Sequence, residues 1–237
     1  MATVVDMTDT DLLRYDSLSG PELDPNLWEY FTLGGVLRQE PGAATTVADG
    51  VITIDVPRFT IGDDSVQGFD NCKHVILATQ TRNLPTDGVS AFEVDIAVDR
   101  AGGDHDDYRL GAASFNIFDV DSVLVYDIWS TQHRVYGLHE RLGDPTFSRV
   151  IDSPFVPLVG DGFRTCRIEL EPPAGRATWK VDGRIVFEAR GLTEFPAAVR
   201  LGFGFFSAVP TWSGEGSLHG QGARASWRGF RYALGVQ

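Results

Sequence analysis

The residue types able to do chemistry concentrate between Val125 and Arg141, where Tyr126, Asp127, Trp129, His133, Tyr136, His139 and Glu140 crowd into one stretch. The stretch reads as two strand-like runs joined by Ser130-Thr131-Gln132. Side chains two apart on a strand share a face, so Asp127 goes with Trp129, Tyr136 with Arg134 and Glu140, and His133 with His139 and Arg141. Period alone does not say which set faces a ligand. A carboxyl, imidazole or phenol works as an acid or base when its pKa sits near the working pH, and burial beside aromatic or charged groups supplies the shift. Tyr126, Asp127, His133, Tyr136, His139 and Glu140 are therefore candidate catalytic groups, with Trp129 as a ligand-stacking surface. A solvated charged face over ordinary core aromatics would use the same residues.

Other constellations are sparser. Glu93, Asp95 and Asp99 form a carboxylate row on one strand face, about 6.5–7 Å apart at neighbouring positions and so within range of paired acid–base work. Glu93 and Asp95 join the candidate ligand contacts, although a solvent-facing strand kept soluble by negative charge has the same pattern. Asp104-His105-Asp106-Asp107 offers oxygens to a hard cation but lacks the order of a calcium-binding loop, so a surface acidic turn and no metal site are expected. Gly202 and Gly204 interleave with Leu201, Phe203 and Phe205, which predicts a strand with a core face and an opened one. Phe206 and Trp212, the latter in the Gly- and Ser-rich loop from Pro210 to Gly222, are further candidate contacts. No nucleophile elbow, P-loop, dinucleotide fingerprint or paired-His motif occurs, so no cofactor is expected.

The elements that must position these groups are strands. Val51 to Val56 follows an Asp49-Gly50 turn, and Phe92, Val94, Ile96 and Val98 alternate with polar or small residues. Arg109 to Asp119, Ser122 to Thr131, His133 to Leu142, Phe163 to Glu171, Ala177 to Val181, Arg184 to Ala189, Val199 to Ala208 and Ala223 to Ala233 read the same way. Asp182-Gly183 between two of them predicts a two-residue hairpin, because both turn positions need positive φ. The single helical expectation is a short turn from Thr8 to Tyr15. With 26 Gly and 12 Pro to supply turns, the reading is all-β: a two-sheet antiparallel β-sandwich. It forms one domain over 1–237, with 1–26 as an N-terminal lead-in.

Composition sets the outer bounds. The 237 residues carry 33 Asp and Glu against 20 Lys and Arg, a net charge of −13. Nucleic acid and anionic membranes are bound through basic clusters, so neither is an expected partner. Cys72 and Cys166 cannot build a disulfide framework, and the N-terminus lacks a basic segment, an apolar segment and a cleavage site. A cytoplasmic protein with free thiols, monomeric or homodimeric, is the expectation.

Several motifs together resemble a known superfamily. Asp16 to Gly20 with Leu23 to Trp28, Arg164 to Leu170 with Trp179 to Phe187, Arg200 to Gly204, and Ala225 to Tyr232 are similar to segments of concanavalin A-like lectin/glucanase domains. The resemblance implies a jelly roll with a concave face that holds a glycan or other ligand. Its family-16-like hydrolases carry carboxylates on one strand in a Glu-x-Asp-x-(x)-Glu pattern. Here Glu93-Val94-Asp95 is the nearest match, with Ala97 or Val98 where the third carboxylate belongs. The broken pattern shifts the expectation to a cofactor-free enzyme that cyclises, isomerises or rearranges a small, largely apolar substrate in the cleft. The alternative is a carbohydrate-binding module or glycoside hydrolase-like protein.

Overall fold

The computed structural model describes residues 12–61, 71–103, 106–142, 144, 149–153, 162–207 and 221–237. In chain order the strands are β1 (Leu13–Arg14), β2 (Trp28–Tyr30), β3 (Thr32–Leu33), β4 (Val36–Leu37), β5 (Ala44–Ala48), β6 (Val51–Val56), β7 (Asn71–Ala78), β8 (Arg82–Asn83) and β9 (Val89–Arg100). They continue as β10 (Ala112–Asp119), β11 (Leu124–Ser130), β12 (Val135–Arg141), β13 (Arg149–Ser153), β14 (Arg164–Glu171), β15 (Arg176–Val181), β16 (Arg184–Arg190), β17 (Ala198–Ser207) and β18 (Ala223–Val236). The first sheet runs β16-β15-β14-β9-β18-β6-β5, with β1 added along β18. The second runs β13-β12-β11-β10-β17-β7-β2, with β8 on β17. Every pairing is antiparallel. Among the described residues no helix is long and apolar enough to cross a membrane.

The turn chemistry explains why strands pair where they do. Asp49-Gly50 and Asp182-Gly183 both hold positive φ at both positions (52° and 76°, 48° and 74°), the geometry that matches strand twist in a two-residue hairpin. The expected helix does not form in the described part of 8–15. Leu13 and Arg14 instead pair with Tyr232 and Arg231 of β18, because an available sheet edge satisfies their backbone groups better than one isolated turn does.

The alternation on β9 does what period 2 requires. Phe92, Val94 and Ile96 enter the interior beside Ile168, Trp179, Trp227 and Phe203, all essentially without solvent contact. Trp28, Phe203 and Phe230 pack with centroids 4.9–5.0 Å apart. Each such ring contributes about 1.5–3 kcal/mol by burial. Two indoles also cross the interior: Trp179 Nε1 donates to the Asp127 carbonyl at 2.8 Å, and Trp227 Nε1 to the Ser114 carbonyl at 3.0 Å. The first sheet thereby fixes the height of β10 and β11. Cys72 and Cys166 are buried and not joined in a disulfide.

Candidate functional site

The second sheet buries both of its faces. Tyr126, Ile128, Phe115 and Phe203 point into the interior between the sheets. The alternate residues Val125, Trp129, Tyr136, Leu138, Phe118 and Phe206 form a separate apolar cluster on the outer face, with Phe31, Leu33, Tyr108 and Leu142 packed against it. Asp127 and Glu140 are embedded in that outer cluster, each about 1% exposed. Their positions follow from register. Asp127 lies opposite Leu138 and Glu140 opposite Val125, so the two carboxyls are diagonal neighbours on one face.

Asp127 is held from one side by a polar relay. The Ser114 hydroxyl donates to Asn116 Oδ1 at 3.2 Å, and Asn116 Nδ2 donates to Asp127 Oδ1 at 2.7 Å. Among the described residues no donor in good geometry reaches Asp127 Oδ2. Among the described residues no Lys or Arg forms an ion pair with Asp127. Burial therefore pushes its pKa up to about 7, with Asn116, the Trp129 indole and Glu140 holding it from rising further. A carboxyl kept protonated at this pH can serve as a general acid.

These carboxyls lie in the wall of a narrow depression whose cavity volume is about 20 Å³, room for roughly one water molecule. Among the described residues its wall includes Phe31, Cys72, Val75, Leu77, Phe118, Val125, Leu142 and Phe206, and its polar lining is Asn116, Asp127 and Glu140. Gly202 lets the Leu77 side chain lie across it, where a Cβ would stand 2.5 Å from Leu77 Cδ2. At Gly204 a Cβ would meet the His74 carbonyl at 2.0 Å. The room left by these glycines is thus taken by β7 itself. A second polar cluster ties down the neighbouring chain: Glu40 accepts from the backbone N–H groups of Thr60 and Ile61 at 2.9 Å, and Lys73 Nζ donates to the Ile61 carbonyl at 2.6 Å.

The structure brings together Asp127, Trp129, Tyr136, Glu140 and Phe206 from the sequence-derived set. Trp129 is not an open platform, because it is fully buried, stacked on Phe206 at 5.3 Å with Tyr108 on its flank. Tyr136 packs against Tyr108 at 4.6 Å, and its hydroxyl donates to the Asp106 carbonyl at 3.2 Å. Tyr126 and His139 lie on the opposite, interior face, stacked at 4.4 Å, where burial raises the Tyr126 phenol pKa. His133 sits on an exposed turn, its backbone N–H donating to the Asp106 carboxylate at 3.1 Å. Glu93 and Asp95 are elsewhere altogether, on the outer face of the first sheet. Arg167 and Arg231 bind Glu93 at 2.5 and 2.6 Å, and Thr165 donates to Asp95 at 2.8 Å. Their carboxylates are charge-paired away from the pocket. Trp212, like Asp104 and His105 of the acidic loop, lies outside the described residues. Among the described residues no group of His, Cys, Asp and Glu has the arrangement of a metal site.

Asn116 is the residue that sequence reasoning missed. Ser114 and Asn116 are polar positions two apart in the otherwise apolar run Ala112 to Phe118, which was the available signal. On this outer face β10 offers Ser114, Asn116 and Phe118, so the one-strand carboxylate pattern is absent there as well.

The two large antiparallel sheets pack as a two-layer β-sandwich with a concanavalin A-like jelly-roll fold. Solved structures agree on that fold. A lichenase from a mouse hindgut metagenome is 13% identical with a TM-score of 0.57, over 95% of this chain and 98% of that one. An endo-1,3-beta-glucanase from Streptomyces sioyaensis is 11% identical with a TM-score of 0.59, over 97% and 99%. The catalytic domain of a laminarinase from Thermotoga petrophila is 13% identical with a TM-score of 0.59, over 93% and 96%. Within that architecture residues 14–233 match the profile of a family of unknown function, DUF6081, and the chain belongs to that family. No curated protein matches it.

Proposed function

We propose that this protein is a glycoside hydrolase-like, carbohydrate-binding sandwich that engages a glycoside at the outer face of its second sheet. The observation that carries the reading is the diagonal pair of buried carboxyls, Asp127 and Glu140, on that face, with the Asp127 pKa pushed up to about 7 by burial. The glucan-cleaving neighbours of the fold support it. The pair would protonate the glycosidic oxygen as the C1–O bond breaks. Water then adds its hydroxide to C1 and returns its proton to the carboxylate left behind. Asn116 keeps Asp127 Oδ1 engaged.

The cyclisation or rearrangement expected from the broken carboxylate pattern has no support in the comparisons. One feature still favours a second reading, capture of a small apolar molecule: the pocket wall is mostly hydrocarbon and aromatic.

The test is direct. Purified protein is incubated with laminarin, lichenan and a panel of aryl glycosides, and released sugar is measured alongside calorimetric binding. Asp127→Asn should abolish release, a loss of about 10²-fold or more, while retaining the fold. Binding and release by no glycoside in the panel would overturn the reading.

A further inference from the structure

We propose that the open edge of the sandwich holds a binding slot for a small organic ammonium ion with an apolar body. The slot is independent of the glycoside reading, since β10, β17 and β7 stand between β11 and this edge. β5 ends the first sheet and β2 ends the second, and the slot lies between them. Register aims their alternate side chains inward. Thr45 and Val47 lie opposite Ile54 and Ile52, and Trp28 and Tyr30 opposite Ala78 and Ile76, all four partners being interior residues. Sheets packed face to face stand about 10 Å apart. Thr45 and Val47 are too short to fill their share of that gap, and a cavity of about 400 Å³ remains. Small-molecule sites occupy about 300–1,000 Å³.

The slot grades from oily to polar, and the gradient orients its guest. Trp28, Val47 and Ile76 form the floor and are buried, whereas Glu22 at the mouth is exposed. Thr45 faces inward and is exposed nonetheless, so the slot is open to solvent. Its walls are held in place. Trp28 Nε1 donates to Asp16 Oδ2 at 2.7 Å, so the indole is already committed. The segment carrying Glu22 is pinned by the Asp24 carbonyl, which accepts from the Leu27 and Trp28 N–H groups at 2.9 Å. Pro21 and Pro25 on either side of it fix φ.

Charge decides the class of guest. Among the described residues the lining carries no Lys, Arg or His, and Glu22 forms no ion pair. Glu29 belongs to the outer face, opposite Leu77, where Arg200 holds its carboxylate at 2.6 Å. Glu22 is therefore the charge that meets a guest, in a protein of net charge −13. A cationic head gains there and an anionic one is repelled. An alkyl or aryl body gains by leaving water for the floor, where a sugar ring would strand its hydroxyls.

The experiment titrates the full chain calorimetrically, at neutral pH and low salt, with 4-phenylbutylamine, 4-phenyl-1-butanol and 4-phenylbutyrate. The three share a body and differ in the charge of the head, the amine being protonated at this pH. The amine should bind about threefold more tightly than the alcohol and about tenfold more tightly than the carboxylate, as one solvent-screened ion pair made or one repulsion met implies. Raising salt to about 0.5 M should shrink both ratios. Glu22→Gln, at an exposed position, should bring amine and alcohol to equal affinity. Thr45→Phe fills the slot from its open side and should weaken amine binding at least about tenfold. Thr45→Ile gives the same readout more mildly should that variant fail to fold. Binding of none of the three compounds would overturn the site. Alcohol or carboxylate matching the amine, or an amine preference that survives Glu22→Gln, would overturn its choice of cations. Undiminished amine binding by a folded Thr45 variant would place the guest outside this slot and overturn the proposal.

Discussion

The two outer faces of this sandwich bury carboxylates in opposite ways. On the first sheet Glu93 is 2% exposed and held between two guanidiniums, Arg167 at 2.5 Å and Arg231 at 2.6 Å. On the second, Asp127 is equally buried but is met by a neutral amide and by another carboxyl. The first arrangement neutralises charge with charge and leaves nothing to react. The second withholds the countercharge, and the group responds by keeping a proton. Depth alone therefore does not mark a site; what surrounds the buried group does.

The comparison can be broken from either side. The largest effect is expected at Arg167. Arg167→Met leaves Glu93 with a single cationic partner in a buried setting and should cost about 3–5 kcal/mol in urea denaturation. The matching change on the other face should have the reverse sign near neutral pH. Folding raises the Asp127 pKa from 3.8 to about 7, so its contribution is complete below pH about 4 and is lost as pH rises through about 7. Asp127→Asn should therefore stabilise the protein above pH 7, by at most about 4 kcal/mol, and leave it little changed at pH 4.

His74 sharpens that profile because it slopes the other way. Burial lowers its pKa from 6.5 to about 4. Its contribution is complete above pH about 6.5 and is lost as pH falls through about 4. Stability curves of wild type and Asp127→Asn should diverge between pH about 4 and 7, and coincident curves would show that Asp127 is ionised throughout.

Asn116→Ala should be milder. It removes the donor that favours the Asp127 carboxylate, so the carboxyl pKa should rise further, and carbon-13 NMR titration would follow it, with stability falling by about 1–2 kcal/mol. Smallest is the exposed pair Arg224–Asp99 at 3.1 Å, both side chains about half exposed. Arg224→Ala should stay within about 0.5 kcal/mol of wild type, since solvent screens such pairs.

What the sequence showed and what it hid follow from how each strand is covered. β9 has one apolar and one charged face, so its alternation gave the inward set Phe92, Val94 and Ile96 without ambiguity. The Asp-Gly pairs gave their hairpins because few residues tolerate positive φ. β11 and β12 are buried on both faces, from Leu124 to Ser130 and from Val135 to Glu140. Period 2 correctly grouped Asp127 with Trp129 and Tyr136 with Glu140 but carried no sign for inside and outside. Tyr126 and His139 therefore entered the candidate set beside residues from which the sheet separates them. Glu93 and Asp95 looked like a reactive row because their countercharges, Arg167 and Arg231, lie far along the chain and meet them only through the β14–β9–β18 pairing.

The indoles of Trp179 and Trp227, rooted in β15 and β18, grip carbonyls directly beneath the acid pair and its relay. The placement of that chemistry is thus governed from the far layer of the molecule. A protein engineer wishing to transplant it would have to carry both layers together, and a tryptophan replaced on the remote side would detune acidity without touching a single atom of the hollow.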